Sequence, residues 1–98
     1  MKLSSEKNGT NLTVRLSGEL NTLTAPELSA LLNKELGGVQ ALTLDFAKCD
    51  YVSSAGLRVL LLTLKQMKAS GGKMYLTNVS ENFKYVLEST GLDAEFGI

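Results

Sequence analysis

Histidine is absent from the 98 residues. With it go the His-based dyads and triads of acid–base catalysis and any Cys/His zinc centre. Cys49 is the one cysteine, so no intrachain disulfide can form. Neither sign of charge is in excess. Ten Lys+Arg balance ten Asp+Glu, and the basic surplus typical of a nucleic-acid binder is missing. No apolar run approaches the roughly 18 residues that a membrane span needs. Met1-Lys2-Leu3-Ser4 opens no apolar leader. These absences predict a cytoplasmic chain with Cys49 reduced, no cofactor, no metal site, no direct nucleic-acid contact and no membrane insertion. No glycine motif of a phosphate-binding loop is present either. The residues that are present, 44% hydrophobic and 20% charged, have the composition of an ordinary globule. A chain of this size buries roughly 60–70% of its unfolded surface, so residues 1–98 are expected to form a single domain.

The hydrophobic period alternates along the chain. Residues 2–7 suit an edge strand, and Asn8-Gly9 predicts a two-residue hairpin loop of type I′. Leu12, Val14 and Leu16 then alternate with Thr13, Arg15 and Ser17, which is strand period. After Gly18, Thr24-Ala25-Pro26-Glu27 has the spacing of a capping box, with proline tolerated in the first turn. Leu28, Leu31, Leu32 and Leu36 form the stripe of an amphipathic helix that Gly37-Gly38 stops. Val39 to Phe46 reads as a largely buried central strand. A polar loop from Ala47 to Tyr51 leads through Ser53-Ser54 into a second helix. Its core stripe is Leu57, Leu60, Leu61, Leu64 and Met67, with Arg58, Leu62 and Lys65 on another face. Gly71-Gly72 ends that helix, Lys73 to Thr77 is a strand, and Ser80 caps a third helix with Phe83, Val86 and Leu87 on its apolar side. Residues 92–98 suit a short strand or a helix remnant. The order β-β-α-β-α-β-α predicts an α/β fold of parallel crossovers with helices packed on a sheet.

Parallel crossovers deliver every strand-to-helix loop to the same edge of the sheet, the edge where open α/β folds bind their ligands and partners. Here that edge gathers residues 18–24, 47–56 and 77–81. It supplies Asn21, Thr22, Thr24, Asp50, Ser53, Ser54, Asn78 and Ser80, which are rich in hydroxyls and amides and poor in acid–base chemistry. Ser53-Ser54 stands before the most apolar helix of the chain. A serine there serves as an N-cap, accepting a backbone N–H for about 1 kcal/mol. A serine there also suits phosphorylation, because free N–H groups and the positive dipole end accommodate negative charge. Phosphorylation adds about −1.5 to −2 charges. Position alone leaves both roles open.

Asp50-Tyr51-Val52-Ser53-Ser54-Ala55-Gly56-Leu57-Arg58-Val59-Leu60-Leu61 resembles the signature segment of STAS domains, and most closely that of stand-alone bacterial anti-sigma factor antagonists. Gly18-Glu19-Leu20-Asn21-Thr22 resembles the family's second motif, and Gly71-Gly72-Lys73 before a strand also fits. The resemblance spans essentially the whole chain. It implies a mixed sheet of four or five strands with three to four helices packed on it. It further implies a binding module, not an enzyme. In such a module the unmodified antagonist binds an anti-sigma factor of serine-kinase ATPase fold and frees a sigma factor. The kinase phosphorylates one serine to end binding, and a metal-dependent serine phosphatase restores it. The family's acceptor lies two positions before the motif's Gly-Leu, which places it at Ser54, with Ser53 as the lesser candidate. The candidate partner contacts, by position, are Asn21, Thr22, Thr24 and Ser53 on the loop edge and Gly56, Arg58 and Leu62 on the helix that follows, with Gly56 also suiting a backbone role that allows close approach or helix entry. Asn21 and Ser53 stand where many relatives carry aspartate. The other reading of the resemblance is a constitutive interaction subunit of a lipid-transport or stress-signalling complex, in which Ser54 only caps its helix.

Overall fold

A computed structural model describes residues 1–98. The chain runs β1 (Lys2–Asn8), β2 (Asn11–Ser17), α1 (Ala25–Glu35), β3 (Ala41–Lys48), α2 (Ser54–Ala69), β4 (Lys73–Thr77) and α3 (Glu81–Ser89). The order of elements agrees with the periodicity of the sequence. The four strands lie in the order β1-β2-β3-β4. β1 is antiparallel to β2, and β2, β3 and β4 are mutually parallel.

Each crossover from β2 to β3 to β4 moves one place in the same direction. Right-handed crossovers of that kind lay their helices on one face of the sheet. The register confirms the geometry. Leu12 pairs with Leu42 and Leu42 with Met74, while Val14 pairs with Leu44 and Leu44 with Leu76. These rows are buried under Leu28 and Leu32 of α1, Leu60, Leu64 and Met67 of α2, and Phe83 and Leu87 of α3, in one core of 20 residues. The opposite face is open. β3 is central, as expected, but begins at Ala41 and is buried on one side only, with Ala41, Thr43 and Asp45 half-buried toward solvent.

Several local expectations need correction. The hairpin loop is Gly9-Thr10, because Asn8 pairs with Asn11. Of the two loop residues only Gly9 has positive φ, at 64°, which is the pattern of a type II′ turn. No capping box forms at Thr24. Its backbone is already helical (φ −98°, ψ −21°) and its side chain caps nothing. In α2, Leu57 and Leu61 are half-buried while Gly56 and Thr63 are buried, because α2 packs on α1 as well as on the sheet. Val86 is 43% exposed, since the nine residues of α3 press only the Phe83–Leu87 stripe into the core. Residues 93–97 form turns, neither strand nor helix. Leu92 and Asp93 both donate to Leu87 O, and Phe96 is buried.

Candidate functional site

Three loops meet at the C-terminal edge of the parallel strands. Gly18 N–H donates to Lys48 O at 3.0 Å, Leu20 N–H to Tyr51 O at 3.0 Å, and Ser53 N–H to Leu20 O at 2.8 Å. Leu20 and Val52 thereby form an isolated parallel bridge. The third loop joins through Ser80, whose hydroxyl donates to Asp50 O at 3.3 Å and accepts Phe83 N–H at 3.1 Å, capping α3. Edge contacts therefore join the two sequence motifs, at residues 18–22 and 50–61, which are far apart in the chain.

Gly56 fixes how closely they meet. A Cβ at this position would stand 2.7 Å from Leu20 Cγ and 3.0 Å from Leu20 O. Leu20 is fully buried beneath it, so only a glycine lets the first turn of α2 settle on the first loop. Gly56 is itself buried. Of the expected contact residues it is the one that offers no surface.

The first loop is built by two side chains and displays two others. Asn21 Oδ1 accepts the N–H groups of Leu23 at 3.0 Å and Thr24 at 3.1 Å. Thr24 Oγ1 donates to Glu19 O at 2.7 Å and accepts Asn21 N–H at 2.8 Å. Both residues are half-buried, and their polar atoms are engaged within the turn. An amide oxygen here takes the two acceptor contacts that a carboxylate could also take. Thr22 is exposed, and Leu23 is 85% exposed, the most exposed large apolar side chain of the chain. Sequence reasoning missed Leu23. The available signal was one leucine between two threonines in a turn, off the helical stripe. It also missed Tyr51, half exposed in the second loop.

The two serines divide their roles. Ser53 is the N-cap of α2 in extended conformation, and its Oγ accepts Gly56 N–H at 3.2 Å. Ser54 is the first residue of α2 and is exposed. Arg58 and Leu62 follow at helical spacing and are exposed too, so Ser54, Arg58 and Leu62 form a solvent-facing stripe. Glu27 and Glu81 occupy the first turns of α1 and α3, but the first turn of α2 carries no acid. Its positive dipole end receives no countercharge from the helix's own first turn.

The remaining polar groups at the edge serve the scaffold. Asn78, in the left-handed region at φ 56°, donates its amide to Asp45 Oδ1 at 2.9 Å. Ala47 N–H donates to the same oxygen at 2.9 Å. These bonds, that from Asn78 first, hold the Asp45 carboxyl below its usual range. Burial pushes the Cys49 thiol up, which makes it a poor nucleophile. The edge therefore presents a hydroxyl, a guanidinium and apolar tips on loops tied together by backbone hydrogen bonds. That set suits docking and acceptance of a phosphoryl group better than proton transfer.

The chain belongs to the STAS domain family, which it matches over residues 2–98. BtrV of Bordetella bronchiseptica, provisionally named an anti-sigma factor antagonist, is 34% identical over 99 residues, covering 100% of this chain and 85% of that protein. The anti-sigma-B factor antagonist of Staphylococcus epidermidis is 31% identical over 80 residues, or 81% of this chain and 74% of that protein. Among solved structures, SpoIIAA in its unphosphorylated form gives a TM-score of 0.76 at 21% identity, over 99% of this chain and 100% of that one. The Bacillus cell fate determinant SpoIIAA in the phosphorylated form gives 0.79 at 22% identity, over 95% and 86%. At these identities the likeness establishes the fold, a mixed four-stranded sheet with three helices.

Proposed function

We propose that this chain is an anti-sigma factor antagonist whose docking is switched by phosphorylation of Ser54. In the unmodified form it binds an anti-sigma factor of serine-kinase ATPase fold in the cytoplasm and frees a sigma factor. Phosphate on Ser54 ends binding, and a serine phosphatase restores it. The chain acts as a binding module and not as an enzyme. The observation that carries this reading is the split between the two serines. Ser54 is exposed at the start of α2 while Ser53 alone holds the cap. Charge can thus be added at Ser54 without breaking the hydrogen bond that starts the helix. The acid-free first turn of α2 and Arg58 one turn on favour that charge locally. Ser53 is the poorer acceptor because its oxygen already accepts Gly56 N–H. SpoIIAA retains a comparable likeness to this chain in both of its forms, as expected if charge rewrites a surface and leaves the fold in place.

The docking surface comprises Thr22, Leu23, Tyr51, Ser54, Arg58 and Leu62, all exposed. Asn21 and Thr24 shape the turn that presents Leu23. The formal net charge of zero falls by about 1.5 to 2 on phosphorylation, and most of that change lies within this patch.

The test uses the purified chain, ATP and any serine kinase of ATPase fold encoded in the same genome, with the site mapped by mass spectrometry. Phosphate is expected on Ser54 and lost in Ser54→Ala. Ser54→Glu is expected to abolish partner binding, and Leu23→Ser to weaken it by at least about tenfold with unchanged stability. Full binding by Ser54→Glu would reject the switch and favour a constitutive interaction subunit.

A further inference from the structure

Three basic side chains that play no part in the switch stand together on the open face of the sheet. A bulge puts one of them there. Arg15 pairs with Asp45, but Ser17 pairs with Lys48. Two steps along β2 are matched by three along β3, so the alternation of β3 slips by one residue. Strict alternation would turn Lys48 toward the helices with Leu44 and Phe46. The slip brings it out beside Ser17, and Cys49 goes into the core instead. On the other side of β2, Lys2 pairs with Ser17 and Ser4 with Arg15. Two neighbouring cross-strand rows result, Lys2–Ser17–Lys48 and Ser4–Arg15–Asp45. They line a concavity of about 540 Å³, which is within the size range of small-molecule sites.

Its charge is unbalanced. The ion pairs of the chain are Arg15 with Glu6 at 3.5 Å and Lys68 with Glu95 at 2.6 Å, so Lys2 and Lys48 have no carboxylate partner. The one carboxylate in the lining, Asp45, already accepts from Ala47 and Asn78. Neighbouring strands are roughly 4.8 Å apart, which places the Lys2 and Lys48 backbones about 10 Å apart across Ser17. Two uncompensated cations approaching from opposite sides, Lys2 and Lys48, suit a ligand with more than one anionic group, while Arg15 in the next row is held by Glu6.

We propose that this concavity binds a small soluble anion carrying two or more phosphate charges. The site is separate from Ser54, and its failure would leave the phosphorylation switch standing. The probe is inorganic pyrophosphate, titrated into the full chain at low salt and followed by amide NMR. Saturable shifts are expected at Lys2, Ser17 and Lys48, weakening as salt screens the charges. Lys2→Gln and Lys48→Gln are each expected to weaken binding roughly tenfold. Both positions are exposed, so unchanged spectra elsewhere will confirm folding. Lys34→Gln, at the end of α1, is expected to bind as the wild type does. The proposal is overturned if shifts do not saturate at millimolar pyrophosphate or if Lys48→Gln leaves them unchanged. It is equally overturned if an acidic peptide binds the concavity more tightly, or if only vesicles bearing phosphorylated headgroups bind.

Discussion

Ser53 and Ser54 are neighbours in the chain, yet only one hydroxyl is committed to the fold. Ser53→Ala removes the acceptor for Gly56 N–H and is expected to lower stability by about 1 kcal/mol. Ser54→Ala removes no bond and should stay within about 0.5 kcal/mol of the wild type. Urea unfolding of the two variants measures the difference, and equal losses would contradict the assignment of the cap. The sequence placed a serine at this position but left the two roles open, because a cap depends on backbone dihedrals as well as residue type. Thr24 teaches the same lesson. Its spacing to Glu27 suggested a capping box, but the chain has already turned at Asn21, whose Oδ1 takes the N–H groups of Leu23 and Thr24.

At the scale of elements, the ends of β3 and β4 are tied by a carboxylate–amide contact that becomes weaker in acid. The Asp45 carboxyl is held low by Asn78 and Ala47. Its contribution to stability is therefore present above the ordinary carboxylate range and is lost as pH falls through the lowered folded value. Asn78→Gly keeps the left-handed backbone and removes the amide donor. NMR titration of Asp45 in this variant should show its midpoint move up toward the ordinary value near pH 4. Stability should then respond less steeply to acid below that pH. An unmoved midpoint would show that Asn78 does not hold Asp45. The existence of β3 and β4 was readable from their apolar runs and flanking glycines. The bulge at the end of β3 was not, since nothing in Asp45-Phe46-Ala47-Lys48 shows how far the neighbouring strand has advanced. The hairpin differed by one residue for a similar reason: the Asn8–Asn11 pairing set the loop, and it left Gly9 as the first turn residue.

For the whole molecule, the contact that joins the first loop to α2 most closely is the seating of Gly56 on Leu20. Gly56→Ala drives a Cβ to 2.7 Å from a buried side chain and 3.0 Å from a backbone oxygen. Overpacking of this kind costs about 1–3 kcal/mol, against a gain in helix propensity of up to about 1 kcal/mol. The expected result is a net loss of stability and a thermal midpoint lower by several degrees. Weaker partner binding should accompany it, because the loop that carries Leu23 and the helix that carries Ser54 no longer meet in register. Calorimetry and a binding assay on the same variant test both halves, and a variant as stable as the wild type would show that α2 can shift freely on the first loop.

Element order, the direction of the crossovers and the edge that gathers the loops were all determined by the sequence. Alternation, helical stripes and turn glycines are local properties, written between near neighbours in the chain. The tertiary structure alone decided which serine is left free, that Leu23 is displayed, that Gly56 is covered and that Lys48 faces outward. Each of these depends on which N–H, oxygen or side chain arrives from a segment remote in sequence, and short-range spacing carries no record of that meeting.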